Sequence, residues 1–132
     1  MLGDAKYNNW KGHAFESVCL SHINQIKATL GIAAVSTNIA NWRSKNAKTG
    51  TEIDLLISRK DNIINICEIK YSDKEFTISK PYSANLRNKK VTFAEETKSR
   101  KAIHLTMITT YGVARNEYRN DIQSEITMKD LF

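Results

Sequence analysis

Apolar positions Phe15, Cys19, Ile23, Ile26 and Leu30 recur at spacings of three and four between Trp10 and Leu30. That period marks one face of an α-helix. Gly31 follows the last of them, where a helix end often needs left-handed backbone. From Thr37 to Lys45 the pattern loosens into alternation and predicts a first strand around Ile39 to Ser44. Asn46-Ala47-Lys48-Thr49-Gly50 then reads as a loop rich in turn formers. Thr51 to Arg59 and Ile63 to Tyr71 are short, β-branched and apolar on both faces, as buried central strands are. Lys60-Asp61-Asn62 between them predicts a tight turn.

Beyond Pro81 a stretch without Gly or Pro reaches Arg100, with Tyr82, Leu86, Phe93 and Thr97 on one side, and predicts the second helix. Lys101 to Thr109 predicts another strand, closed by Tyr111-Gly112. Ile122 to Ile126 reads as a last short strand, and Thr127 as the cap of a final turn with Asp130 at the capping-box position. The order of helix, three strands, helix and strand implies an α/β fold. With 132 residues, one domain over 1–132 is expected, large enough to bury a core without disulfides.

Three charged residues interrupt the apolar strands: Asp54, Glu68 and Lys70. Burying such groups is costly unless they are paired or coordinate a metal. Glu68 and Lys70 share a strand face, roughly 6 to 7 Å apart along the backbone. Asp54 stands opposite Glu68 if Arg59 faces Ile63, which leaves Lys60-Asp61-Asn62 as a three-residue loop ending on a residue suited to left-handed backbone. Two facing carboxylates repel unless a cation lies between them. Mg2+ or Mn2+ fits that role, being an oxygen-seeking ion that polarises a phosphodiester and activates water, with a neighbouring ammonium to steady negative charge. The bare tripeptide Glu-x-Lys has little weight, because eight Glu and fourteen Lys give about one chance match. Glu96-Thr97-Lys98 is such a match, on a predicted helix, and is assigned no chemistry.

Composition narrows the partners. A net charge of +6 and a pI near 9.4 favour an anionic partner such as nucleic acid. The second helix and its flanks supply Lys80, Arg87, Lys89, Lys90, Lys98, Arg100 and Lys101 for phosphate contact, with Lys89, Lys90 and Arg87 the foremost candidates. Cys19 and Cys67 lie in apolar patterns without CxxC, and His13, His22 and His104 are scattered, so zinc is not expected. No apolar run approaches the roughly 20 residues of a membrane span, and no secretory or transit signal is seen. A cytoplasmic location is expected.

Asp54, followed after a hairpin by Cys67-Glu68-Ile69-Lys70-Tyr71, resembles the signature of the PD-(D/E)xK nuclease superfamily, which includes restriction endonucleases. Its αβββαβ core has the element order read above, and the resemblance implies a mixed central sheet flanked by helices. More narrowly, the chain resembles the nuclease-like domain at the C-terminus of certain bacterial and archaeal P-loop ATPases. Trp10-Lys11-Gly12, Phe15-Glu16, Ile53-Asp54-Leu55-Leu56 and Thr127-Met128-Lys129-Asp130-Leu131-Phe132 extend that likeness over nearly the whole chain. The resemblance implies metal-dependent DNA hydrolysis with Asp54 and Glu68 as metal ligands, Lys70 beside the attacking water and Glu16 as an auxiliary acid; Glu52 is a weaker candidate. It also implies a P-loop ATPase partner: no GxxxxGK[ST] occurs here, so this chain either acts alone or is the C-terminal fragment of a longer ATPase. Dimerisation to cut two strands is common in that superfamily. The alternative is a catalytically inactive module of the same fold that binds nucleic acid or serves as an interaction domain of an ATPase.

Overall fold

The computed structural model describes residues 2–45 and 50–132, with side chains from residue 9 onward. The expected loop at 46–50 therefore lies, apart from Gly50, outside the described residues. The first helical run forms two helices, α1 (Leu2–Leu20) and α2 (Ile23–Thr29). At the break, Ser21 Oγ donates to the Ser17 carbonyl (2.9 Å) and His22 Nδ1 lies 2.6 Å from the Val18 carbonyl. Side chains that bind carbonyls of the preceding turn compete with continuation of the helix. Gly31 takes φ +76° beyond α2, the left-handed backbone expected there.

The strands are β1 (Thr37–Arg43), β2 (Glu52–Arg59), β3 (Ile63–Lys70), β4 (Ala102–Thr109) and β5 (Ser124–Thr127), in the spatial order of their numbering. β1, β2 and β3 pair antiparallel; β3, β4 and β5 pair parallel. The sheet is mixed, as expected. Helix α3 (Lys80–Thr97) makes the crossover between β3 and β4. It starts where Ser79 accepts a hydrogen bond from the Tyr82 amide and Pro81 occupies the first turn, both strong start signals. A 3-10 turn, Glu117–Asp121, was not foreseen; Asn116 caps it through the amides of Tyr118 and Arg119. The closing turn Met128–Leu131 carries the capping box of Thr127 and Asp130.

Two apolar layers cover the sheet. On one face Phe15, Cys19 and Ile26 pack with Leu55, Ile57 and Cys67. On the other, Leu86 and Phe93 of α3 pack with Leu56, Ile64 and Ile66. A sheet buried on both faces explains why β2 and β3 read as continuous apolar runs rather than alternating ones. Among the described residues no helix is long and apolar enough to cross a membrane.

Candidate functional site

The β2–β3 hairpin has the register derived from the sequence. Leu55 pairs with Cys67, Leu56 with Ile66, Ile57 with Asn65 and Ser58 with Ile64, so continuing outward sets Arg59 against Ile63 around a three-residue loop. Asn62 takes φ 68°, the left-handed conformation such a loop ends on.

Register alone does not fix which face Asp54 presents. The pairing of β1 with β2 shifts between Ala40, opposite Leu56, and Trp42, opposite Ile53. Two residues of β2, Asp54 and Leu55, thus oppose the single Asn41, the arrangement of a β-bulge. A bulge interrupts the period-two alternation of side chains. Ile53 consequently packs in the α3 layer with Leu56, although strict alternation would put it with Leu55 and Ile57 in the α1 layer. Asp54 is left on the α1 side.

There it borders a cleft of about 460 Å³ with Gly12, His13 and Glu16 of α1 and with Lys70 and Tyr71 at the end of β3. Partial burial raises the Glu16 pKa, and the nearby Asp54 carboxylate raises it further; His13 opposes this and Glu52 adds to it. Asp54 and Glu52 flank Ile53 in β2, so both acids face the same layer as Glu16.

Glu68 has different neighbours. Cys67 and Ile69, on either side of it, pack in the α1 layer, so alternation turns Glu68 toward α3. It is 7 % exposed. Lys89 Nζ of α3 lies 2.6 Å from its Oε1. The approach is an ion pair rather than an aligned hydrogen bond, and among the described residues no other donor satisfies that oxygen. Lys70 Nζ stands 5.5 Å from the centroid of the Tyr82 ring. Burial, aided by the Glu68 charge, pushes the Tyr82 phenol up; its hydroxyl faces Met107 Sδ at 3.9 Å.

The structure therefore lines one cleft with Glu16, Asp54 and Lys70 and pairs Glu68 with Lys89, while Lys70 Nζ leans over the Tyr82 ring that also feels the Glu68 charge. Of the three acids expected to share one metal ion, Asp54 and Glu16 line the cleft, and Glu68 pairs with Lys89. Among the described residues no three His, Cys, Asp or Glu side chains gather closely enough to hold a metal. At the most buried of the three carboxylates, the Lys89 ammonium lies 2.6 Å from Oε1 and neutralises it. Glu16 and Asp54 are the two carboxylates at the cleft that would hold Mg2+ or Mn2+ there, with Glu68 paired to Lys89.

The nucleic-acid candidates divide in the same way. Lys89 is committed to Glu68, with a side chain only 19 % exposed. Arg87 approaches Asp121 at 4.0 Å. Lys90 is half-buried on α3. Two residues of the site were overlooked in the sequence. His13, set aside as scattered, lies three positions before Glu16 and so on the same helix face. Tyr82, counted only as core, closes over Lys70, and no sequence signal marked it.

Fold and site together define a mixed α/β domain with an acidic cleft at one end of its sheet. Within that class, the chain belongs to the family DUF234, archaea bacterial proteins of unknown function, which it matches over residues 3–98. That stretch runs from α1 to the end of α3 and includes the cleft and the Glu68 ion pair. No curated protein and no solved structure matches the chain.

Proposed function

We propose that this chain is a nucleic-acid-binding domain built on a nuclease-type core, which engages DNA without cleaving it by itself. The Glu68–Lys89 contact carries this reading: a buried carboxylate neutralised by a lysine of its own fold has no need of a divalent ion. The bulge that turns Asp54 away from Glu68 supports it, as does the chain's net charge of +6. The resemblance to domains attached to P-loop ATPases supports a role in which binding here serves an ATPase in cis. The test combines two assays on purified protein. Binding to a labelled duplex should weaken steeply with added salt, while no cleavage should develop in magnesium or manganese. Metal-dependent cleavage by the wild type would overturn the proposal.

Hydrolysis is the second reading, and one observation favours it: Glu16, Asp54 and Lys70 border the same cleft. On that reading Asp54→Asn and Lys70→Ala would each abolish cleavage while leaving the fold intact. Cleavage that survived both substitutions would exclude this group as its source.

A further inference from the structure

Of the helix candidates for phosphate contact, Lys89 and Arg87 face carboxylates, and three exposed cations lie together at the opposite end of the sheet from the cleft. Two segments meet there. One is the β2–β3 turn, Arg59-Lys60-Asp61-Asn62; the other is the connection from α3 to β4, Lys98-Ser99-Arg100-Lys101. Lys101 Nζ donates to the Arg59 carbonyl (2.7 Å) and to Ser58 Oγ (2.9 Å). The Ala102 amide donates to the Asn62 carbonyl, and the Lys60 amide to the Ser36 carbonyl, each at 3.0 Å. These bonds fix two short, charged loops side by side.

Five cations and a single carboxylate occupy these eight residues. The carboxylate, Asp61, is consumed by Arg59, which holds it at 2.6 Å and also reaches Asn65 Oδ1. Lys101 is spent on the tether. Lys60, Lys98 and Arg100 remain exposed, and none has an ion-pair partner among the described residues. Proximity to the C-terminus of α3 favours cations at Lys98 and Arg100, yet it does not account for Lys60, which comes from the hairpin. Lys98 also takes φ 53°, a conformation in which glycine would be less strained.

Resting on the nucleic-acid reading above, we infer that Lys60, Lys98 and Arg100 form the phosphate-binding surface of this domain, on the hairpin end of the sheet. The partner is the sugar-phosphate backbone of a duplex, contacted without regard to sequence. Eight residues of β3 separate this end from the cleft, a distance on the order of 25 Å. A phosphate held here is outside the reach of Glu16 and Asp54, and the acidic cleft repels the strand from its own end. Binding is therefore independent of the cleft carboxylates.

The experiment measures duplex affinity by fluorescence anisotropy across a salt series. The variants are Lys60→Ala/Lys98→Ala/Arg100→Ala, the helix control Lys80→Ala/Arg87→Ala/Lys90→Ala, and Asp54→Asn, each verified for wild-type circular dichroism. Every position altered in the first variant is exposed, so the fold is expected to survive. Should it not, the charge reversal Lys60→Glu/Arg100→Glu serves in its place. The hairpin-end variant is expected to bind at least tenfold more weakly, with a salt slope shallower by about 2 to 3, since each phosphate contact contributes about 0.9. The helix control and Asp54→Asn should stay within about threefold of wild type. Loss in the helix control with an intact hairpin-end variant would overturn this surface while sparing the DNA reading. Absence of any wild-type binding at low salt would overturn both. Displacement of the duplex by polyglutamate at equal charge would overturn the assignment to nucleic acid.

Discussion

Trp42 and Ile53 face each other across β1 and β2, and this pairing decides the direction of Asp54. The Trp42 ring stands edge-on to Phe93 of α3 at 5.2 Å, anchoring the pair in the α3 layer. With Ile53 committed to that side, its neighbour Asp54 has only the α1 side. A proximity test follows. With cysteines introduced at Glu16 and Asp54, a short bismaleimide should join them readily, whereas cysteines at Asp54 and Glu68 should not be joined. Efficient linking of 54 to 68, read by a gel shift after proteolysis, would contradict the bulge.

The ion pair of Glu68 and Lys89 is nearly dry on both sides, with side-chain exposures of 9 % and 19 %. Removing one partner of such a pair strands a buried charge, whereas removing both leaves only a packing change. Lys89→Met is expected to destabilise the domain by about 3 to 5 kcal/mol, and Glu68→Gln in the same background to restore most of the loss. Urea unfolding of the four proteins of the cycle gives the coupling directly. Additive effects would mean that the two groups do not neutralise each other in solution.

Glu16 provides a pH signature for the cleft. Its folded pKa lies above its ordinary value of 4.5, through burial first and then through Asp54. An acid raised in this way contributes stability that is in place below pH 4.5 and is lost as pH rises through the folded value. Glu16→Gln should therefore be at least as stable as wild type at pH 7, with the difference closing below pH 4.5. Asp54→Asn should bring the Glu16 titration partway back toward 4.5, because the larger cause, burial, remains. Carboxyl-carbon NMR would follow it. An unchanged Glu16 titration in Asp54→Asn would separate the two residues.

The hairpin was legible because its determinants are local: Asn62 accepts left-handed backbone, and the loop length then fixes every pair from Ser58 outward. Strand and helix identities were legible for the same reason, from β-branched runs and from the stretch without Gly or Pro beyond Pro81. The face of Asp54 was not. It depends on a bulge induced by pairing with β1, and Ile53-Asp54-Leu55-Leu56-Ile57, apolar toward both layers, offers no alternation from which a slip could be noticed. Lys89 was likewise read as a free helix cation, since nothing local reveals that α3 crosses above Glu68. The break at Ser21-His22 was hidden by apolar spacing that continues through it.

The two cysteines extend the argument to the core. Both thiols are fully buried in the α1 layer, where an apolar setting disfavours the thiolate. Burial, with a smaller contribution from Glu16, pushes Cys19 up to about 12; burial, with smaller contributions from Glu68 and Cys19, pushes Cys67 higher than its ordinary 9.0 as well. Folded protein should resist iodoacetamide at pH 8 under conditions that label the urea-unfolded chain completely. Thiols whose folded pKa exceeds the unfolded one contribute stability that is intact below pH 9 and is lost as pH rises beyond it. The urea midpoint should accordingly fall between pH 9 and pH 11, and fall less in Cys19→Ala/Cys67→Ala, although that variant starts lower because of the volume it removes. Rapid labelling of native protein, or an equal alkaline decline in the double variant, would place these thiols outside the core that aligns α1 with β3.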